Sequence, residues 1–129
     1  MQNSDLVKSA REIVVSFIEC LNKGDLKSAR SLVTDNYSVT VPGASFDGAD
    51  AYFKGAEKAQ QTYGTGRYDI KKVFEEGNDV CVLNDVIWGN TAFLACGWYH
   101  LENQKIRSLT LIYDSGQANA ARQDYGKGR

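Results

Sequence analysis

Apolar residues recur every three or four positions through Leu6, Val7, Ala10, Ile13, Val14, Phe17, Ile18 and Leu21, the stripe of a helix buried on one side. That spacing predicts a helix from Ser4 to Asn22, ended by Lys23-Gly24. Asp25 then suits the N-cap of a short second helix carrying Leu26, Ala29, Leu32 and Val33. Asp35-Asn36 reads as a turn, and Tyr37–Val41 alternates as a short half-buried strand that Pro42-Gly43 stops. Ala44–Gly48 is then a loop leading to a third helix, Ala49–Tyr63, with Tyr52, Phe53, Ala56, Ala59 and Tyr63 on one stripe.

From Arg67 onward the period changes to two. Arg67–Glu75 predicts one strand, and Val80–Trp88, Ala92–Leu101 and Lys105–Asp114 predict three more, separated only by short joins that force an antiparallel meander. Strands of about ten residues, roughly 33 Å, twist and curl, leaving a hollow side for the helices to cover. The order α-α-β-α-β-β-β-β is α+β: a cone-shaped curved antiparallel sheet packed on an N-terminal helix pair plus a third helix. Residues 1–114 read as a single domain. Residues 115–129, rich in Gly, Ala, Gln, Asn and charge, read as a flexible tail.

Composition narrows the function classes. With 129 residues there is room for one core. Fifteen basic against sixteen acidic residues, in no basic cluster, argue against a nucleic-acid partner. Apolar runs of about four residues leave no membrane span or signal-peptide core, so the cytoplasm is the simplest compartment. Cys20, Cys81 and Cys96, with one histidine and no C-x-x-C pair, read as reduced, mostly buried thiols, with no metal site expected.

The segment Phe17–Leu26, Pro42-Gly43 with Phe46-Asp47-Gly48, and a last strand opening Gln104-Lys105-Ile106 and ending Tyr113-Asp114 resemble, in order and spacing, the nuclear transport factor 2-like superfamily. That superfamily includes SnoaL-like polyketide cyclases and ketosteroid isomerases. The resemblance implies a cone-shaped barrel, often dimeric through the outer sheet face, with a pocket between the long helix and the hollow side. It leaves function open, because the superfamily holds isomerases, cyclases, dehydratases, epoxide hydrolases and non-enzymatic binders.

Two catalytic sets of that superfamily are broken in this chain. The ketosteroid isomerase tyrosine and two aspartates fall at Phe17, Val41 and Cys96, none of which replaces the missing groups. The epoxide hydrolase base falls at Leu111 and its Arg–Asp pair at Asp85 and Ile87, so only one acid survives. For the aspartate and histidine of SnoaL-like cyclases the available matches are Asp114 and His100.

Alternation and the usual orientation of that superfamily place Leu83, Asp85, Ile87, Leu94, Cys96, Trp98, His100, Leu109, Leu111 and Tyr113 on the hollow face. A register slip of one residue would put Asn84 there instead of Asp85. On the other face, Val82, Val86, Trp88, Phe93 and Tyr99 predict a homodimer surface. Asp85, His100 and Asp114 are thus the candidate catalytic groups, against the plainer readings of solvent-facing acid, strand-end histidine and strand terminator. Phe17, Val41, Tyr52, Leu83, Cys96, Trp98, Leu111 and Tyr113 are candidate contacts for a small apolar molecule, against ordinary core packing. The expected activities are cofactor-independent acid–base chemistry on a compact carbonyl or hydroxyl compound, or a non-catalytic ligand-binding or dimerisation module.

Overall fold

The structure is a computed structural model that describes residues 8–120. Helix α1 spans Ala10–Asn22, and its start differs from the expected Ser4 because a capping box intervenes. The Glu12 amide donates to Ser9 Oγ (3.1 Å) and the Ser9 amide donates to Glu12 Oε1 (2.9 Å), which satisfies two amides that a helix start leaves open. The expected Leu6 and Val7 contacts lie outside the described residues. Gly24, at φ +73°, turns the chain, and Asp25 caps helix α2, Leu26–Ser31, by accepting from the Ser28 amide at 3.0 Å.

Strand β1 runs Val33–Val41, four residues longer at its start than expected. Asp35 and Asn36 form no chain-reversing turn; they lie where the pairing shifts between Val33 and Ser38. Arg30 Nη2 holds Asp35 at 2.7 Å, and Arg107 Nη1 donates to the Asn36 carbonyl at 2.9 Å, so the polar pair is fixed within the strand. Strand β2, Ala44–Asp47, replaces the expected loop, folding back along β1 through Pro42-Gly43 with Gly43 at φ +82°. Helix α3, Ala49–Tyr63, has the bounds its periodicity predicts.

The remaining strands are β3 (Arg67–Glu76), β4 (Asp79–Trp88), β5 (Thr91–Glu102) and β6 (Lys105–Tyr113). They form one six-stranded sheet in the order β2-β1-β6-β5-β4-β3. The sheet is not wholly antiparallel as expected: β1 lies parallel to β6, because α3 and four strands, β2 to β5, intervene and bring the chain back in the same direction. Shifts in pairing at Val33/Ser38, Ile70/Lys72 and His100/Leu101 bend it. Helix α1 lays Ile13, Val14, Phe17 and Ile18 on Val80, Val82, Tyr99, Leu101, Ile106 and Leu109.

The covered face of β4 carries Val80, Val82, Asn84 and Val86, and that of β5 carries Phe93, Ala95, Gly97, Tyr99 and Leu101. Leu83, Asp85, Ile87, Leu94, Cys96, Trp98 and His100, expected on the hollow side, therefore lie on the outer face. Both strands are apolar on both sides, so alternation alone does not choose between the faces; coverage by α1 does. Leu109, Leu111 and Tyr113 do face the helices, and Val82, Val86, Phe93 and Tyr99 belong to the inner side rather than to an outer surface.

The edge strand β3 is tied to α1 by a side chain that imitates a neighbouring strand. Asn22 Nδ2 donates to the Tyr68 carbonyl (3.0 Å), and Asn22 Oδ1 accepts from the Tyr68 amide (2.7 Å). Replacing Asn22 with Ala should lower unfolding free energy by about 1–3 kcal/mol, read from urea denaturation, since both backbone groups lose their partner. Where a loose tail was expected, residues 115–120 are helical: Asp114 Oδ1 accepts from the Gln117 amide (3.0 Å), and Ala118 is buried against Val86, Phe93 and Ala95. The part of the expected tail beyond residue 120 lies outside the described residues.

Candidate functional site

Strand pairing sets the inner surface in rows. Asn84 of β4 lies opposite Ala95 of β5, which lies opposite Tyr113 of β6; the next rows are Val82–Gly97–Leu111 and Val80–Tyr99–Leu109. Tyr68 of β3 stands opposite Val86. A Cβ on Gly97 would come within 3.0 Å of the Tyr99 ring and 3.2 Å of Leu109, so glycine is what lets those side chains lean together. The helices supply an aromatic roof. Phe17 packs edge-on against Tyr99 (centroids 6.1 Å apart) and lies 6.4 Å from Tyr37, which meets Tyr52 edge-on at 5.6 Å and Phe53 at 6.1 Å.

Among the described residues no Asp, Glu, His, Lys or Arg is buried, and Asn84, 5% exposed, is the buried polar side chain apart from tyrosine. Its amide makes no hydrogen bond among the described residues, nor do the hydroxyls of Tyr52 and Tyr99; the Tyr37 hydroxyl is fully buried without a partner. Burial lifts the phenols of Tyr37, Tyr52 and Tyr99 above their ordinary value. Neighbouring phenols add to this: Tyr52, Tyr99 and Tyr68 act on Tyr37, Tyr68 and Tyr113 on Tyr52, and Tyr68 and Tyr52 on Tyr99. The interior is therefore a cluster of neutral phenols around one amide. Such groups donate and accept hydrogen bonds, or steady a developing oxyanion, but they do not supply a base near neutral pH.

The folded state holds these phenol protons to higher pH than the unfolded chain does. The associated stability is complete below the ordinary phenol value of 10.0 and is lost as pH rises beyond it. In an alkaline titration, ionisation of Tyr37, Tyr52 and Tyr99 at 295 nm should coincide with loss of far-ultraviolet circular dichroism. Ionisation of all seven tyrosines near pH 10 with the dichroism intact would show that they are not buried as described.

Of the predicted ligand contacts, Phe17, Val41, Tyr52, Leu111 and Tyr113 pack on the inner side, whereas Leu83, Cys96 and Trp98 lie on the outer face. The three predicted catalytic groups do not meet in the interior. Asp85 is on the outer face in a 3.3 Å ion pair with Lys71 Nζ. On that same face, His100 Nδ1 and the Trp98 indole N–H both bond Asp79 Oδ1 at 2.9 Å, which holds the Asp79 carboxyl below its usual value, Trp98 contributing most. Asp114 caps the turn at residues 115–120. The three cysteines are free and partly exposed rather than mostly buried. Among the described residues no three His, Cys, Asp or Glu side chains gather as metal ligands. Sequence reasoning missed Tyr37, Tyr68 and Tyr99 as site residues and named Asn84 only as the outcome of a one-residue slip.

The profile of the SnoaL-like domain family matches residues 14–109. A nuclear transport factor 2-like protein of unknown function from Cytophaga hutchinsonii is 30% identical, with 88% of this chain and 96% of that one aligned and a TM-score of 0.78. A proposed SnoaL-like polyketide cyclase from Shewanella putrefaciens is 14% identical over 95% of this chain and 90% of that one, TM-score 0.78. TerC, co-crystallised with polyporic acid, is 12% identical over 88% and 98%, TM-score 0.79. The last two likenesses show a shared fold. No curated protein sequence matches the chain. No helix among the described residues is long and apolar enough to cross a membrane.

Proposed function

Because the chain belongs to the SnoaL-like domain family of the nuclear transport factor 2-like superfamily, we propose that it binds a compact, uncharged molecule between the helices and the inner sheet face. The aromatic walls would take the apolar skeleton, and the neutral phenols with Asn84 would take its carbonyl or hydroxyl groups. One observation carries this reading: the Tyr37 hydroxyl is fully buried without a partner and the 5% exposed Asn84 makes no hydrogen bond among the described residues, an arrangement that costs stability unless something else completes it. Asp85, as an outer-face residue paired to Lys71, is not the acid or base of this reading, which favours a binder over an acid–base enzyme. TerC, which shares this fold, was co-crystallised with a small molecule, polyporic acid, which supports the reading. The test is a thermal-shift and NMR screen of neutral aromatic ketones and phenols. Binders should raise the melting temperature and shift the ring resonances of Tyr52 and Tyr99; a screen in which no member does either would sink the reading.

The outer face supports a second proposal, that two copies pair through it. Phe74, Leu94, Trp98 and Ile112 are each about half exposed or more (57%, 51%, 50% and 65%). Pairing places Phe74, Cys81 and Trp98 in one row and Leu83, Cys96 and Ile112 in the next, so the apolar surface is continuous. A formal net charge of −1 sets little repulsion between copies. Sedimentation should give a dimer that Trp98→Asp with Ile112→Asp converts to monomer; a wild-type monomer at about 100 µM would rule the pairing out. A place in the cytoplasm is consistent with both proposals.

A further inference from the structure

Along the inner side of β4 the series is Val80, Val82, Asn84, Val86. Three of these four positions hold valine, and a fourth would pack against the same floor. The backbone of Asn84 is already committed to the ladder between Ile70 and Ala95, so the sheet gains nothing from its side chain. An amide kept at such a position costs stability unless both of its functions, the Nδ2 donor and the Oδ1 acceptor, are used. Its neighbours in the sheet are mostly small or apolar: Ala95 is the small residue directly opposite on β5, Tyr113 follows in the same row, Ile70 lies opposite on β3, and Tyr68 stands one inward position along, across from Val86.

A primary amide presents its donor and acceptor side by side and in one plane. A ligand with only an acceptor leaves Oδ1 unpaired, and one with only a donor leaves Nδ2 unpaired. A carboxylate leaves Oδ1 unpaired and also brings a charge into a site with no buried cation among the described residues. We infer that Asn84 selects a neutral, flat ligand that carries an N–H or O–H donor directly beside a carbonyl on one ring edge, as a cyclic amide does. The inference rests on the interior being a ligand site, as proposed above.

The test uses three bicyclic probes of similar size: isoquinolin-1-one, with adjacent N–H and C=O; isoquinoline, with an acceptor only; and 1-naphthoate, with a charge. Each is titrated into full-length wild-type protein and the Asn84→Leu variant, followed by ¹H–¹⁵N NMR that includes the Asn84 side-chain NH₂ signals. Isoquinolin-1-one should bind wild type at least about tenfold more tightly than either other probe and displace the Asn84 NH₂ pair, the factor expected when a buried polar group is paired rather than stranded. In Asn84→Leu that advantage should vanish while isoquinoline binds as well or better. Equal affinity of the three probes for wild type, or a lactam preference that survives in Asn84→Leu, would overturn the inference and leave the interior standing as a ligand site. Failure of every probe to move any Asn84, Tyr52 or Tyr99 resonance would overturn both.

Discussion

Phe17→Ala should lower the unfolding free energy by about 3–5 kcal/mol, the range for truncating a fully packed phenylalanine. The ring is 2% exposed and stands between Tyr37 and Tyr99, so its removal leaves a void bounded by two other large rings that cannot both fill it without giving up their own contacts. A loss of that size is a large part of the 5–15 kcal/mol that holds an ordinary domain together. Urea denaturation should show the midpoint falling with little change in slope. Because Phe17 roofs Tyr99, the variant should also let the Tyr99 phenol ionise at lower pH than in the parent protein. A loss below about 1 kcal/mol would mean that α1 does not press this side chain onto the sheet.

The helices were legible because their signals are local. Ala49–Tyr63 has a single apolar stripe bounded by Gly48 and Gly64, and the structure keeps those bounds. The start of α1 was missed: the apolar pattern reaching back to Leu6 set the expected start at Ser4, and the Ser9-x-x-Glu12 capping box was not read. Strand β2 escaped notice because all four of its residues are exposed on an edge, where no alternation marks them. The site was the least legible part, and for a definite reason. Along most of β4 and β5 the inward residues have apolar neighbours facing outward, as in Val82/Leu83, Val86/Ile87 and Phe93/Leu94. The two faces differ in which one the helices cover, a contact made across the chain that no window along it records. Once that choice is inverted, Asp85 exchanges places with Asn84, and the expected acid–base site becomes a neutral one. Strand β6 did not suffer this ambiguity, since Leu109 and Leu111 alternate with Ser108 and Thr110.

The exchange of those two neighbours also gives the second large effect. An aspartate introduced at position 84 would have no buried cation to pair with and no hydrogen-bond donor already committed to it among the described residues. At neutral pH it must either stay ionised in an apolar setting or take up a proton against bulk solution, and either course costs several kcal/mol. Burial would raise the folded-state pKa of the new carboxyl above the unfolded value of about 4, so the loss relative to wild type grows as pH rises past that value and fades below it. Asp85→Asn, by contrast, removes only a partly exposed ion pair with Lys71, worth at most about 1 kcal/mol.

Chemical denaturation of Asn84→Asp and Asp85→Asn side by side, at pH 7 and again near pH 4, therefore decides which of the two residues the helices cover. A large loss for Asn84→Asp at pH 7 that shrinks near pH 4, with Asp85→Asn close to wild type at pH 7, is the predicted result. A tolerated Asn84→Asp beside a costly Asp85→Asn would turn β4 over and contradict the neutral interior described here.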